Sequence, residues 1–248
     1  MKRERARTPR GPAALVADVH YQDAGASELL GRALYEAYLA ERAGPSVPVF
    51  LLVGANSSTG DAVGPFVGWF LRRKGFGGPW LGDLSDPVHA ANIGERVKEV
   101  WERAAPYGRE PFLVAVDAAV GRAGQVTVNR GPLRPGAGMG KALPPVGHVH
   151  VMAGVATVPF GIWFAELDRT VGMAEVIADA AIVFWSLYRG SDDLQPAAGQ
   201  PGPVRDEPAL GRRPAVCPLA APAMARSTLP GWGRLRSGVG YAPRPYGF

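Results

Sequence analysis

Apolar positions recur along the chain in two rhythms, one helical and one strand-like, and the alternation between them sets out the elements. After Ser27, LLGRALYEAYLAER places Leu30, Ala33, Leu34, Ala37 and Tyr38 on one helical face, and Gly44–Pro45 ends the helix. Ser27 suits its N-cap. PVFLLVG (48–54) is apolar throughout, and PFLVAVDAAVG (111–121) is apolar up to Asp117, where the strand is expected to end, the pattern of strands buried on both faces of a parallel sheet. GQVTVNRG (124–131) alternates, and HVHVMAGVATV (148–158) supplies a further strand. Between them the helical period returns. Ser58 or Thr59 can cap a helix that turns Val63, Phe66, Val67, Phe70 and Leu71 inward, with Arg72, Arg73 and Lys74 at its dipole-negative end. A second helix is predicted over 87–104, opening at Asp86–Pro87. The last, over 170–190, carries Val171, Ala174, Ile177, Ala178, Ala181, Ile182 and Trp185 on a broad apolar face.

This order of elements predicts a single α/β domain over 27–190, built as a three-layer α/β/α sandwich. Residues 1–26 sustain no period and read as a basic, mobile arm; residues 191–248 read as a Pro/Gly-rich low-complexity tail. In such a sheet the site lies beyond the carboxyl ends of the strands. That rule selects two loops, Gly54–Asp61 and Asp117–Gly121.

Composition narrows the function classes. One cysteine, Cys217, leaves no internal disulfide and no multi-cysteine metal site, which suits a reducing, cytoplasmic setting. No run of about 18 uncharged apolar residues predicts a membrane span. The net charge of +5 is uneven: residues 1–12 carry +4, residues 191–248 carry +3, and the part between is mildly acidic. Such tails serve as a solubilising fringe or bind polyanions weakly and without specificity.

Both selected loops deliver a carboxylate. Asp117 ends the apolar run FLVAVD, and Asp61 opens a helix after a polar loop. Two carboxylates facing each other split their apparent pKa values, so one can act as base and the other as acid. The alternative is structural, with Asp61 a helix cap and Asp117 a loop tie. GANSSTGD offers small residues before a helix N-terminus, an anion cradle or simply a cap. PGAGMGK (135–141) joins three glycines to Lys141, which permits close backbone approach to a ligand or makes a flexible turn. His148 and His150 share a strand face, either a metal-ligating pair or a partly exposed surface; His89 lies on a helix and can assist the site, and His20 lies in the arm.

STGDAVGPFVG, DPVHAAN, VAVDAAVG and GPLRPGAGMGKALPPVG, in that order, resemble the YyaC-type family of predicted spore proteases, over about residues 47–188. That family is similar to the spore germination endopeptidase and the hydrogenase maturation endopeptidases. The resemblance implies a phosphorylase/hydrolase-like sandwich (hydrogenase maturation protease-like). The germination enzyme uses one aspartate in a P-D-A-L-G-P stretch and one in a D-A-L strand end; Asp61 in GDAVGP and Asp117 in VDAAV match them. Its P-G-S-G-V-G-N loop is similar to PGAGMGK, with Lys141 in place of the asparagine. The maturation enzymes add a histidine as third metal ligand; the PGAGMGK region has none, so no metal and no cofactor is assigned.

The resemblance therefore implies a sporulation-associated endopeptidase in which Asp61 and Asp117 are catalytic and water is the nucleophile. Asn56, Ser58 and Thr59 would orient the carboxylates or the scissile carbonyl, and Gly136, Gly138 and Lys141 would line the groove. The partner would be a protein or peptide, small DNA-coating spore proteins first, with no membrane and with homo-oligomerisation left open. The rival expectation is a non-catalytic protein that keeps the cleft for a peptide, an anion or a metal.

Overall fold

In the computed structural model, which describes residues 14–136 and 143–191, six strands form one mixed sheet. They are β1 (Ala14–His20), β2 (Ser46–Leu52), β3 (Trp80–Leu81), β4 (Glu110–Val120), β5 (Gln125–Arg130) and β6 (Val149–Ala156), in the order β1-β5-β6-β4-β2-β3. Four helices accompany them: α1 (Ala26–Glu41), α2 (Val63–Arg73), α3 (Ile93–Ala104) and α4 (Leu167–Gly190). The sheet is parallel over β3, β2, β4 and β6, and antiparallel where β5 joins β6 and β1.

The two apolar runs became the sheet's centre. β2 is buried at all seven positions, and its neighbour β4 pairs with it from Ser46↔Glu110 to Leu52↔Val116. The connection β2–α2–β3 steps outward, whereas β3–α3–β4 steps back across β2. Right-handed crossovers then put α2 and α3 on opposite faces. α1, α2 and α4 pack together on one face, which gives the expected three layers. The Tyr38 and Tyr188 hydroxyls both donate to the Ser46 carbonyl, at 2.9 and 3.0 Å, tying α1 and α4 to the start of β2.

Four expectations need correction. Residues 14–20, expected within the arm, form β1, which pairs antiparallel with β5 from Ala14↔Arg130 to His20↔Gln125. A bulge between Leu15 and Ala17 breaks the two-residue period, and an edge strand half-covered on both faces shows little contrast to begin with. Helix α1 starts at Ala26 with left-handed Gly25 as its N-cap, so Ser27 does not cap it. Helix α2 is preceded by a 3-10 turn, Gly60–Ala62, and neither Ser58 nor Thr59 caps it through a side chain.

The fourth correction is the helix expected from residue 87, which begins only at Ile93. Asn92 holds the chain before it in a turn: its Oδ1 accepts from the His89 N–H at 2.8 Å and its Nδ2 donates to the Pro87 carbonyl at 3.0 Å. Further along, α4 buries Met173, Ala180, Phe184 and Tyr188 beside the predicted face, because it is wedged between α1 and α2. It is the one described helix long and apolar enough to cross a membrane, and half of its most apolar window is buried in the fold.

Candidate active site

The site forms beside the carboxyl end of β2, where β4 runs on to Val120; Asp117, expected to end its strand and open a loop, lies within β4 and pairs with Met152 of β6. Past β2, the Val53 N–H donates to the Val116 carbonyl at 2.7 Å, and the Gly54 N–H to the Val88 carbonyl at 2.8 Å. Gly54 then turns with φ 148°, a region closed to other residues, and a Cβ there would lie 2.0 Å from the Asp61 carbonyl oxygen. The loop folds back on itself: the Ala55 N–H donates to the Asp61 carbonyl at 3.0 Å, and the Asp61 N–H to the Ser58 carbonyl at 3.1 Å. Asp61 is thereby returned to the end of β2.

Asp117 arrives from the neighbouring strand, one residue beyond the Leu52↔Val116 pair. It is only 7% exposed, and its Oδ1 accepts from the Ala118 N–H at 2.9 Å. Burial, and secondarily the negative charge of Asp61, push its carboxyl well above the ordinary aspartate range; the Ala118 bond offsets part of this. The two aspartates selected from the sequence thus share one site and interact electrostatically.

They line a cavity of about 240 Å³ together with His89, Arg134, Gly136 and Ile162. Gly136, expected to line the groove, is part of the cavity wall. Gly138 and Lys141, expected in the same groove, lie outside the described residues. Asn56, Ser58 and Thr59 occupy the turn behind Asp61 and do not line the cavity. Asn56 donates from Nδ2 to the Leu84 carbonyl at 2.9 Å, which makes it a loop fastener; the Ser58 hydroxyl is buried with no hydrogen-bond partner among the described residues.

His89 stands closer to the chemistry than its sequence position indicated; Arg134 lay in the GPLRPGAGMGK motif without being singled out, and Ile162 lay in no motif. His89 reaches the cleft because a turn, not a helix, leads up to it. Asp83 organises that turn: its Oδ1 accepts from the Ser85 N–H, the Ser85 hydroxyl and the Asp86 N–H at 2.7, 2.6 and 2.9 Å, and Arg72 pairs with Oδ2. Burial would raise the Asp83 pKa, but these bonds and the Arg72 charge outweigh it and hold the carboxyl below its usual value. The Ala91 N–H donates to His89 Nδ1 at 3.3 Å, leaving Nε2 as the ring nitrogen without an internal bond among the described residues.

His148 and His150 belong to the scaffold. His148 Nδ1 accepts from the Leu113 N–H at 3.0 Å, and His150 Nδ1 bonds the Gly131 carbonyl at 2.9 Å. Burial lowers both pKa values, so the neutral rings are favoured. Among the described residues no cluster of three or more His, Cys, Asp or Glu side chains is arranged to hold a metal ion.

A protein-family model described as "Protein of unknown function (DUF1256)" matches residues 18–185, which contain both aspartates and every other described lining residue of the cavity. The "Uncharacterized protein YyaC" of Bacillus subtilis (strain 168) is 34% identical over 169 residues, covering 65% of this chain and 80% of that protein. The chain belongs to the DUF1256 family.

Proposed function

We propose that the protein is a peptidase-like hydrolase of the spore or sporulating cell that cleaves a peptide bond with water between Asp61 and Asp117. One observation carries this reading: a buried carboxyl whose proton affinity is raised by burial and by a like charge shares a cleft with that second, less buried carboxyl. The pair divides the work. Asp61, as the base, takes a proton from a water molecule as the water oxygen bonds to the carbonyl carbon. Asp117 gives its proton to the amide nitrogen as the C–N bond breaks, leaving a free acid and a free amine. Arg134, at the rim, has no carboxylate partner among the described residues and suits the carbonyl oxygen, where negative charge grows. The match of GDAVGP and VDAAV to the two aspartate motifs of the germination endopeptidase supports the same assignment.

The test is incubation of the full chain with small acid-soluble spore proteins, with and without added divalent metal, followed by mass spectrometry. Defined fragments are expected, and they should vanish in both Asp61→Asn and Asp117→Asn. Fragments that persist in either variant would overturn the mechanism. Binding without cleavage under both conditions would establish the rival, a non-catalytic binding protein.

A further inference from the structure

β6 ends at Ala156, at the same edge as Asp117, and the next residues do not enter the core. They form a strap, Val158–Leu167, built around a 3-10 turn at Pro159–Phe164. In it Phe160, Trp163, Phe164 and Leu167 are 70%, 59%, 72% and 59% exposed. A monomeric protein rarely leaves so many large apolar side chains wet within ten residues, and such a patch marks a contact surface. The Phe160 and Phe164 rings stand 5.1 Å apart and form one apolar surface. The intervening Ile162 points the other way and forms part of the wall of the aspartate cleft. A Cβ on Gly60, next to Asp61, would sit 2.2 Å from the Ile162 carbonyl oxygen, so strap and catalytic turn are in direct contact.

We propose that this strap is the docking wall of the cleft and binds an extended, unfolded polypeptide segment through large apolar side chains next to the bond presented to Asp61 and Asp117. The inference rests on the peptidase reading and specifies its substrate class. Continuity decides the occupant. An extended chain spaces its residues by about 3.3 Å and can lie across both the strap and the narrow cleft that Ile162 joins to it. A second copy seated on the strap would close that cleft. An anionic bilayer would meet the exposed carboxylates of Glu166 and Asp168 at the strap's end.

The experiment uses full-length protein with Asp117→Asn, so that binding is read without turnover. The probe is fluorescein-labelled β-casein, an unfolded apolar-rich chain, measured by anisotropy against a labelled Gly/Ser/Glu polypeptide of similar length. Phe160→Ser, Trp163→Ser and Phe164→Ser together should weaken casein binding by about 100-fold, the loss expected when two or three rings no longer bury their area. The conservative set Phe160→Leu, Trp163→Phe and Phe164→Leu should keep it within about 3-fold. Unchanged casein binding in the serine variant would overturn the proposal. So would equal affinity for the polar polypeptide, strap-dependent binding to phosphatidylglycerol vesicles, or strap-dependent dimerisation in sedimentation. Strap-dependent casein binding without any cleavage by the wild type would support the strap and overturn the peptidase reading. Cleavage with a KM indifferent to the serine variant would do the reverse.

Discussion

Replacing Asp117 with asparagine should make the fold more stable at neutral pH, and the sign follows from its surroundings. The side chain is 7% exposed and keeps one backbone hydrogen bond, from Ala118, which an asparagine Oδ1 can equally accept. The substitution therefore preserves shape and hydrogen bond and removes only the ionisable group. In the wild type the folded-state pKa of Asp117 lies above the unfolded value, through burial first and Asp61 second. The native state thus binds more protons than the unfolded chain between the two pKa values. The stabilising contribution of this carboxyl is full below the unfolded value of ~3.9 and is lost as pH rises through the folded one. Each unit of separation is equivalent to about 1.4 kcal/mol. Ionising a buried carboxylate with one hydrogen bond and a like charge nearby costs on the order of kcal/mol, so the variant should gain about 1 kcal/mol or more at neutral pH. Urea unfolding from pH ~4 to ~8 measures the difference. The advantage of Asp117→Asn should be near zero at the acid end and grow to a plateau. A loss of more than ~2 kcal/mol at pH ~7 would refute the reasoning and make Asp117 a fully satisfied structural acceptor.

Two further predictions test the frame around the site. Gly60→Ala places a methyl group 2.2 Å from the Ile162 carbonyl oxygen, so strap and Asp61 turn must separate; calorimetry should show a loss of more than ~2 kcal/mol, and cleavage should fall with it. Deleting residues 1–20 removes β1 and uncovers Val126 and Val128, both fully buried, whereas deleting 1–13 leaves the β1–β5 ladder intact; the longer deletion should melt at least ~5 °C lower than the shorter one.

What could be read from the sequence followed the local patterns. β2 and β4 are apolar on both faces because the parallel centre of the sheet is covered on both sides, and that pattern names them without any tertiary knowledge. The face of α1 was equally visible, since Leu30, Ala33, Leu34, Ala37 and Tyr38 repeat with the helix and are all buried. Asp61 followed from the rule that sites form beyond strand carboxyl ends, and Asp117 from the same rule and its motif, although β4 runs three residues past it.

The rest depends on contacts between distant residues, which no periodicity encodes. His89 enters the cleft because Asp83 and Asn92 spend their side chains on backbone N–H groups and delay α3 to Ile93, a clasp indistinguishable in sequence from an ordinary helix start. Asn56 resembled a ligand of the site only while its reach to the Leu84 carbonyl, 28 positions away, was unknown. The segment 159–169 lies between the strand and helix expected from the sequence, and its meaning is carried by what it fails to bury. Phe160, Trp163 and Phe164 look like core residues in any composition count, yet they lie wet beside a cleft that holds a buried carboxyl. An apolar side chain left in water has no stabilising reason within the folded monomer, whereas Ile162, only one residue from Trp163, is turned inward against the cavity. The alternation of inward and outward residues along this one turn joins recognition to chemistry. It also requires that a change confined to the outer face alter substrate affinity while leaving the aspartate pair, and its pH-dependent stability, untouched.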